Sequence, residues 1–479
     1  MNRVLEECDR VGDVFAADPV HDLRVALRRC RSMADGLMTI DSDKAWKRMK
    51  KAAQPLFQGL GELRDAQVMM EWVDRLGAAE DPVTTSLRDF IIGRESDLKK
   101  RSLSALQEFD RKQWTIWSRE LPRRAARIRL GSAVFKHLAL ERWTEARRLH
   151  TRALRTSSQA ALHQLRIGLK RFRYTVENFL PQLHAAWSDD LKELQDSLGE
   201  IHDLDVLWAT ALEINAFPDA ESRNRWRNLI IQERKQRLEK YRQKMVGKHS
   251  LWNVWRAELP QGAQIEAAAL GRLKLWASFL DPNFQHSRRV ADLALQFYDG
   301  LTRQNVHLDG KRGQNLRTVL YSAALMHDVG RSRKQKNHHK VSARLIRGLS
   351  PPLGLSAEDL RLAGLVARYH RGAFPRAGHK DLAALPADQR DCVLKLAGIL
   401  RLVNAFDSTG DGRISHLQLG SKDGVLYVYA QGYSPLGRIA QHVSAARYLA
   451  EVALRRPVLI KRLLAAQPKQ VSPKARSAA

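Results

Sequence analysis

The chain has 479 residues, of which 44% are hydrophobic, so it is long enough for two or three hydrophobic cores and too apolar for wholesale disorder. Its 81 Lys and Arg residues against 52 Asp and Glu residues give a formal net charge of +29, an excess that is typical of proteins with a polyanionic partner. Three widely separated cysteines argue against a disulfide framework, and the lack of a signal core or of a membrane-length apolar run argues against a membrane partner, so we expect a cytoplasmic protein.

Apolar residues recur at three- and four-residue spacing from residue 1 to about residue 245, which predicts one helix after another. Two motifs occur twice in this half, in the same order. HDLRVALRRCR starts at His21 and returns as HQLRIGLKRFR at His163, and LGELRDAQV starts at Leu60 and returns as LGEIHDLDV at Leu198. The nearly constant offset predicts an internal duplication, with repeats of about residues 1–125 and 126–250.

Each copy of the first motif places its basic residues on one stripe of a helix, beside an apolar stripe. The stripes consist of His21, Arg24, Arg28 and Arg31 in the first copy and His163, Arg166, Lys170 and Arg173 in the second. Neither stripe carries a carboxylate, and such crowding of cations is unfavourable unless a counter-charge arrives. We therefore predict that both stripes bind an anion and are not ordinary solvated faces.

The chemistry of the stripes favours phosphate over a nucleic-acid base. Arginine binds phosphate oxygens bidentately, whereas nucleic-acid sites add aromatic platforms on which bases stack. The stripes show no aromatic residue except Phe172, which falls on the apolar side. A polyanion that offers only a backbone therefore fits better, and nucleic acid is the alternative partner. The two histidines can donate to phosphate, and a buried structural role is the alternative interpretation for each.

The pattern H-x-x-R-x-x-x-[RK]-R-x-R, each time followed by L-G-E-x-x-D-x-x-V, resembles the conserved histidine α-helical domain, CHAD. The resemblance covers about residues 1–250 and implies two pseudo-symmetric helical bundles around a basic cavity that binds inorganic polyphosphate. The binding residues that it implies are His21, Arg24, Arg28, Arg29, Arg31, Arg64, His163, Arg166, Lys170, Arg171 and Arg173. His202 stands where the first repeat has Arg64, and the resemblance leaves its role open.

Residues 247–264 contain several turn-forming residues and are predicted to link the first domain to a second, helical domain over residues 265–466. Within the second domain, ISHLQL and VLYVYA flank GSKDG and predict a small β-hairpin, followed by a helix from about Leu436. Residues 467–479 form a polar tail that we expect to be disordered. The predicted fold class is all-α: a duplicated helical bundle, then a helical domain with a small hairpin.

The second domain contains histidines and aspartates in an ordered set, each in an apolar helical setting. An adjacent His and Asp at a helix end can place an imidazole and a carboxylate on one metal, and a mixed nitrogen and oxygen set suits Mn, Mg, Fe or Zn. The predicted ligands are His286, His327, Asp328, His339, His370 and Asp407, with His338 as the alternative to His339. A second metal, if present, would draw on His338 or His339 and His370, and a bridging hydroxide would attack phosphorus, with His327 and Asp328 as catalytic residues. The alternative interpretation is scattered histidines that cap helices.

This arrangement resembles the HD superfamily of metal-dependent phosphohydrolases, and more closely the C-terminal HD-type domain of the exopolyphosphatase/guanosine pentaphosphate phosphatase family. The matching stretches include HSRRVADLALQFYDGL, ALMHDVG, HHKVSARLI, LVARYHRG and LAGILRLVNAFDST. In that family the established phosphatase site lies in actin-like domains, which this sequence does not resemble. The sequence also departs from the family at RSRKQK, residues 331–336, and at Val341, where a histidine is common.

We therefore predict a protein that binds inorganic polyphosphate and whose second domain binds a divalent metal and hydrolyses or senses phosphoanhydrides. Whether the second domain is an enzyme is left open. The alternatives are a metal-dependent nucleotide phosphohydrolase of the HD type, which the first domain only localises, and a nucleic-acid-binding protein. The prediction also leaves open an association with polyphosphate granules, the identity of the metal and the oligomeric state.

Overall fold

The computed structural model describes residues 1–13, 15–306, 308, 315–376 and 378–463. The chain divides into two compact units, Met1–Ala268 (unit 1) and Ala269–Ala479 (unit 2). Both units are built from helices, with one small sheet near the C-terminus, which confirms the predicted all-α fold class. The tail predicted over residues 467–479 lies outside the described residues. Across the described ranges, no helix has both the length and the apolar character needed to span a membrane.

Unit 1 is formed by helices alone over its described residues. They are α1 (Asn2–Asp13), α2 (Ala17–Leu37), α3 (Lys44–Ala52), α4 (Gln54–Leu76), α5 (Pro82–Gln107), α6 (Arg111–Ala125), α7 (Ala133–Thr156), α8 (Gln159–Phe179), α9 (Pro181–Glu213), α10 (Ala220–Met245) and α11 (Leu251–Ala257). The next helix, α12 (Ala263–Leu280), runs across the division between the units.

The helices of unit 1 pack in the same order twice. In the first half α2 contacts α1 and α4, and α4 contacts α5; in the second half α8 contacts α7 and α9, and α9 contacts α10. The helices that carry the two basic motifs, α2 and α8, pack directly against each other, as do α4 and α9. Gly36 permits the close approach of α2 to α8, because a Cβ at this position would overlap the ring of Phe179. Both basic stripes therefore lie at one interface inside unit 1.

The stretch 247–264 is not the loose link that its composition predicts. It contains α11, whose Trp252 and Trp255 are both 0% exposed and which packs against α7 and α10. The Trp255 ring lies 5.3 Å from that of Phe172, and the indole N–H of Trp143 donates to the carbonyl of Trp252 at 3.2 Å. Two tryptophans bury enough apolar area to fix this segment in the core despite its glycines and proline.

Unit 2 packs its helices around one hydrophobic core that includes Phe297, Leu320, Val366 and Leu400. Its elements are α13 (Phe284–Arg303), α14 (Leu316–Met326), a 3₁₀ turn (Val329–Ser332), α15 (His338–Arg347), α16 (Ala357–Arg368), α17 (Lys380–Ala383), α18 (Ala387–Phe406), α19 (Arg438–Leu454) and the strands β1 (Leu417–Lys422), β2 (Val425–Ala430) and β3 (Val458–Arg462). The histidine and aspartate motifs of this unit come together at the end of α14, the start of α15 and the end of α16.

The predicted hairpin forms, and it is part of a larger sheet. Strands β1 and β2 pair antiparallel around Asp423 and Gly424, whose φ angles of 51° and 77° suit a two-residue turn that requires positive φ at both positions. A third strand, β3, pairs parallel with β2 and gives the order β1-β2-β3. The sequence analysis did not predict β3. Its partner strand β2 precedes α19 in the chain whereas β3 follows it, and a strand of five residues shows too little periodicity to be recognised by itself.

Candidate functional site

The two basic stripes meet where α2 packs against α8. The guanidinium of Arg28 lies over the ring of Tyr174 at 5.5 Å, and Arg29 donates to Glu177 at 3.3 Å. The guanidinium of Arg24 lies against Gly61 of α4, where a Cβ would come within 2.9 Å of Nη1. The glycine of the first L-G-E motif thus leaves room for Arg24 to lie between two helices.

Several basic side chains of these helices have buried nitrogen atoms without a hydrogen-bond partner in the described structure. These atoms are Arg24 Nη1, His163 Nδ1, Arg166 Nε and Arg173 Nε. A buried donor without a partner costs about 1–3 kcal/mol, and more when it is charged. Such donors from both repeats at one contact suit an anion as the missing partner. We call Arg24, Arg28, His163, Arg166 and Lys170 the basic interface.

The pKa of Lys170 reflects both its burial and the neighbouring cations of the basic interface. Burial, followed by the charges of Arg166 and Arg28, lowers the pKa of Lys170 to about 8. Arg28 belongs to the first repeat and Lys170 to the second, so the two stripes act on the same lysine. A bound anion would oppose this effect and favour the charged amine.

The L-G-E motifs add carboxylates and a histidine to the same region. Burial raises the pKa of Asp203 to about 6, although the charge of Arg166 opposes the shift. Asp65 lies close enough to Arg24 to raise the pKa of that guanidinium, against the larger effect of burial. The stripes themselves carry no carboxylate, as the sequence indicated, but α4 and α9 supply these two.

His202, whose role the sequence left open, lies beside His163, with 4.7 Å between the ring centroids. Burial, then the nearby Arg166, lowers the pKa of His202 to about 4, so the ring is neutral at pH 7. Arg64, its counterpart in the first repeat, acts electrostatically on Arg24 and pairs with Glu71 at 3.1 Å. The two repeats therefore place a cation and a neutral ring at matching positions.

The remaining predicted residues lie at the ends of the stripes or, like Arg171, beside them. His21 is exposed, and Arg31 donates from Nη1 to the carbonyl of Lys50 at 2.8 Å. Arg173 lies 4.0 Å from Glu177, which also accepts from Arg29. Arg171 lines a cavity of about 280 Å³ together with residues that include Lys50 and Tyr174.

Aromatic rings also line the stripes, contrary to the expectation from the sequence. Tyr174 lies beneath Arg28, and Phe57 lies beneath Arg24 at 5.6 Å and Arg31 at 5.0 Å. Tyr174 directly follows Arg173, the last basic residue of the second motif, and Phe57 precedes the first L-G-E motif, so adjacency to the motifs is the signal that could have found them. Both rings face guanidinium groups within the protein.

In unit 2, three histidines converge on Asp328. His338 Nε2 lies 3.0 Å from Asp328 Oδ1, His370 Nε2 lies 3.7 Å from the same oxygen, and His327 Nε2 lies 3.7 Å from Oδ2. The Nε2 atoms of His338 and His370 are 3.4 Å apart. All four residues are at most 3% exposed. We call His327, Asp328, His338 and His370 the His–Asp centre.

A backbone carbonyl three residues earlier in the chain fixes the ring of each histidine. The Nδ1–H groups of His327, His338 and His370 donate to the carbonyls of Ala324, Gln335 and Ala367 at 2.7, 3.0 and 2.7 Å. Two of these carbonyls belong to the last turns of α14 and α16, where a helix leaves carbonyl groups free. Since Nδ1 carries the proton in each ring, the Nε2 lone pair is free to bind a cation.

The charges of the His–Asp centre suit a metal ion. Burial lowers the pKa of His327 and lowers that of His370 well below its ordinary value, so both rings are neutral. Burial alone would raise the pKa of Asp328, but the neighbouring histidines and Arg331 outweigh it and lower the pKa of the carboxyl. His327 Nε2 and both Asp328 oxygens are buried without a hydrogen-bond partner in the described structure. Neutral imidazoles and an ionised carboxylate are the forms that bind a metal.

Among the residues that the structure describes, two groups of side chains could hold a metal ion, and Asp328 belongs to both: one adds His286 and His327, the other His338 and His370. His286 also contacts Asp407, with Nδ1 2.8 Å from Oδ2. Asp407 accepts from Arg289 Nε at 2.9 Å and from the backbone N–H of Gly412 at 3.0 Å. These hydrogen bonds occupy the carboxylate oxygens of Asp407. Asp407 belongs to neither group of possible metal ligands, and its contact with His286 orients that ring.

His339, which the sequence analysis placed among the ligands, also lies outside both groups, and His338 takes its place. The ring of His339 lies against Gly372, where a Cβ would come within 3.1 Å of Nε2. Consecutive residues of a helix point about 100° apart, so only one of the two histidines at the start of α15 can face Asp328. Sequence reasoning missed Arg331, whose Nε lies 2.8 Å from Asp328 Oδ2, although its position three residues after Asp328 was a usable signal.

Comparison with known families assigns both parts of the chain. Residues 3–212 match the CHAD domain, and residues 276–423 match the Ppx/GppA phosphatase family, domain III, so both resemblances are confirmed. A stretch of 73 residues is 38% identical to a bifunctional uridylyltransferase/uridylyl-removing enzyme of Ruegeria pomeroyi. That match covers 15% of this chain and 8% of the enzyme, so the chain spans less than a tenth of that relative.

Proposed function

Because the chain carries a CHAD domain and then domain III of the Ppx/GppA phosphatases, we propose that unit 1 binds inorganic polyphosphate and that unit 2 binds a divalent metal and acts on phosphoanhydrides. One observation carries the first half of the proposal. Cationic groups of both repeats are buried at one helix contact with donor nitrogens that have no partner in the described structure. An anion with many oxygens can satisfy donors spread along two helices.

The surroundings of the basic interface favour polyphosphate over nucleic acid. Tyr174 and Phe57 lie beneath guanidinium groups and are not open platforms on which bases could stack. Arginine forks match the geometry of phosphate oxygens, and a polymer of phosphates can contact both repeats at once. Asp65 and Asp203 limit the net positive charge of the region. Binding should therefore depend on how the phosphate oxygens fit the arginines as well as on charge.

In unit 2 the Asp328 oxygens and the His327 Nε2 atom, which are buried without a hydrogen-bond partner in the described structure, support a metal ligand set. A divalent metal such as Mn, Mg, Fe or Zn would there supply Lewis-acid chemistry and a bound water of lowered pKa. The protein contributes the orientation of each imidazole through the backbone carbonyls and the ionised state of Asp328. Arg331 places a cation next to that carboxylate, in a position to contact an anionic substrate.

Competition binding with the full chain tests the first half of the proposal. Fluorescently labelled long-chain polyphosphate is bound first, and unlabelled polyphosphate, single-stranded RNA or duplex DNA is then added at equal phosphate concentration. We expect polyphosphate to compete best and binding to weaken steeply with salt, because contacts between phosphate and cations release counterions. DNA that competes equally per phosphate would contradict the assignment.

Elemental analysis of protein purified without chelator tests the metal. Release of orthophosphate from polyphosphate and from nucleoside triphosphates, with and without added Mn and chelator, tests the reaction. We expect a bound metal and chelator-sensitive release. Protein that carries no metal, gains no thermal stability from Mn, Mg, Fe or Zn and releases no phosphate would contradict the second half of the proposal.

A further inference from the structure

The small sheet of unit 2 has two different faces. Alternate residues of β2, such as Val428, are 0% exposed and belong to the core of unit 2, whereas Tyr427 and Tyr429 are half-buried on the opposite face. Side chains alternate along a strand, so the register of the three strands shows which residues share that face with the two tyrosines. We call the following residues the open sheet face: Gly420 and Lys422 of β1, Tyr427 and Tyr429 of β2, and Leu459 and Lys461 of β3.

Tyr427 and Tyr429 form an aromatic platform on the open sheet face. Their rings are nearly parallel, with 21° between the planes and 6.3 Å between the centroids. Gly420 on the neighbouring strand has no side chain to fill the space beside them, where a Cβ would stand 3.5 Å from the ring of Tyr429. Leu459 pairs with Tyr427 across β3 and is 40% exposed, so it extends the apolar surface. Adjacent rings on the outer face of a sheet suit the stacking of successive bases.

The charges of the open sheet face are positive. Lys461 Nζ lies 4.7 Å from the ring centroid of Tyr427, and Lys422 is exposed at the end of β1. The residues described in the three strands include no aspartate and no glutamate. Because Lys461 is exposed on a flexible stem, its amine can move from the ring to a phosphate. Arg24 and Arg28 of the basic interface differ from it, since they are half-buried over their rings.

We propose that the open sheet face binds single-stranded nucleic acid, with bases stacked on Tyr427 and Tyr429 and phosphates near Lys422 and Lys461. The rings favour this occupant over inorganic polyphosphate, which has no base to stack. The lysines, on strands without a described carboxylate, favour a polyanion over a neutral peptide. The open sheet face shares no residue with the basic interface or the His–Asp centre, so this inference goes beyond the proposed function of either unit.

Binding of the full chain to a fluorescently labelled adenosine hexanucleotide tests the inference. An abasic hexamer with the same sugar–phosphate backbone measures the contribution of charge alone. All variants are made in a background with Arg28→Ala and Lys170→Ala, which weakens binding by unit 1. This background chain should bind the adenosine probe at least about tenfold more tightly than the abasic probe, because stacking adds to the contacts with phosphate. Tyr427→Leu with Tyr429→Leu should bring the two affinities to within about twofold of each other.

Three further variants separate stacking from charge and from folding. Tyr427→Phe with Tyr429→Phe keeps both rings and should keep the preference for the adenosine probe. Tyr448→Leu removes an exposed ring from α19, outside the open sheet face, and should also keep it. Lys422→Ala with Lys461→Ala should weaken binding of both probes by a similar factor and reduce the salt dependence of each.

Equal affinity of the background chain for the two probes, or an unchanged preference in the leucine variant, would overturn the inference. The melting temperature of each variant shows whether it is folded. If the double leucine change lowers it, Tyr429→Leu alone removes one ring and should reduce the preference at least about threefold; no reduction also contradicts the proposal. Metal content should be the same in all variants, so failure of this inference leaves the proposed function of unit 2 standing.

Discussion

The basic interface of unit 1 and the His–Asp centre of unit 2 both bury polar atoms that have no hydrogen-bond partner among the described residues, but the atoms differ in kind. In unit 1 they are donors on cations, such as Arg24 Nη1 and Arg166 Nε; in unit 2 they are acceptors, His327 Nε2 and the oxygens of Asp328. Since native proteins pair nearly all buried polar groups, each set indicates the ligand that it lacks. The comparison favours an anion as the ligand of unit 1 and a cation as the ligand of the His–Asp centre.

The two sites also differ in how the chain assembles them. Each stripe of unit 1 comes from a single helix, at spacings of three and four residues, and the duplication supplies the second stripe. The His–Asp centre takes its residues from the ends of three helices, α14, α15 and α16. Replacement of one residue should therefore weaken anion binding by unit 1 only in part, because many cations would share the ligand. Replacement of one residue of the His–Asp centre should abolish metal binding by unit 2.

The largest effect is expected from Asp328→Ala. Asp328 belongs to both possible ligand groups, so its loss should reduce metal affinity at least about 100-fold. Elemental analysis should show loss of the metal, and added metal should no longer raise the melting temperature. Asp292→Asn, an exposed change on α13, is the matched control and should retain the metal. Polyphosphate binding by unit 1 should be unchanged. If Asp328→Ala lost both the metal and polyphosphate binding, the two sites would not be separate, as the comparison requires.

Removing one cation from each repeat should produce the next largest effect. Arg28→Ala with Lys170→Ala should weaken polyphosphate binding roughly 10- to 100-fold, since each removes a charged contact. The control, Arg119→Ala with Arg223→Ala, removes two exposed cations, one from each repeat, and should change affinity little. Fluorescence anisotropy measures both, and metal content should not change. An equal loss in the control pair would show that net charge alone drives binding.

The pH dependence of polyphosphate binding should follow Lys170. Its pKa in the free protein is lowered to about 8, and a bound anion raises it, so binding takes up a proton. Affinity should therefore be greatest below pH 8 and fall as the pH rises above 8, by up to about tenfold for each unit by which the anion raises the pKa. Calorimetry in buffers of different ionisation enthalpy measures the proton uptake. Lys170→Met should remove most of this pH dependence; a wild type whose affinity is constant from pH 7 to 10 would contradict it.

The stripes could be predicted because helical periodicity is local: residues three and four apart share a face whatever surrounds them. Which neighbouring residues complete each site could not be decided in the same way, since their contacts depend on how distant segments pack. Tyr174 beneath Arg28 requires α8 to pack against α2, and the choice of His338 over His339 depends on how α15 is rotated. Asp407 was expected as a metal ligand because the sequence could not show that Arg289, on another helix, donates to its carboxylate.

The smallest effect is expected where the two repeats differ, at Arg64 and His202. His202→Arg would place a cation beside Arg166 and Lys170, and the nearby Gly199 has no atom within 4 Å of where its Cβ would stand, so there is room nearby. One added cation at this half-buried position should strengthen polyphosphate binding about two- to fivefold at low salt, and less at high salt. The reciprocal change, Arg64→His, should weaken it by a similar factor. Titrations at two salt concentrations measure both, and opposite signs for the two variants are required if the repeats bind one ligand in the same way.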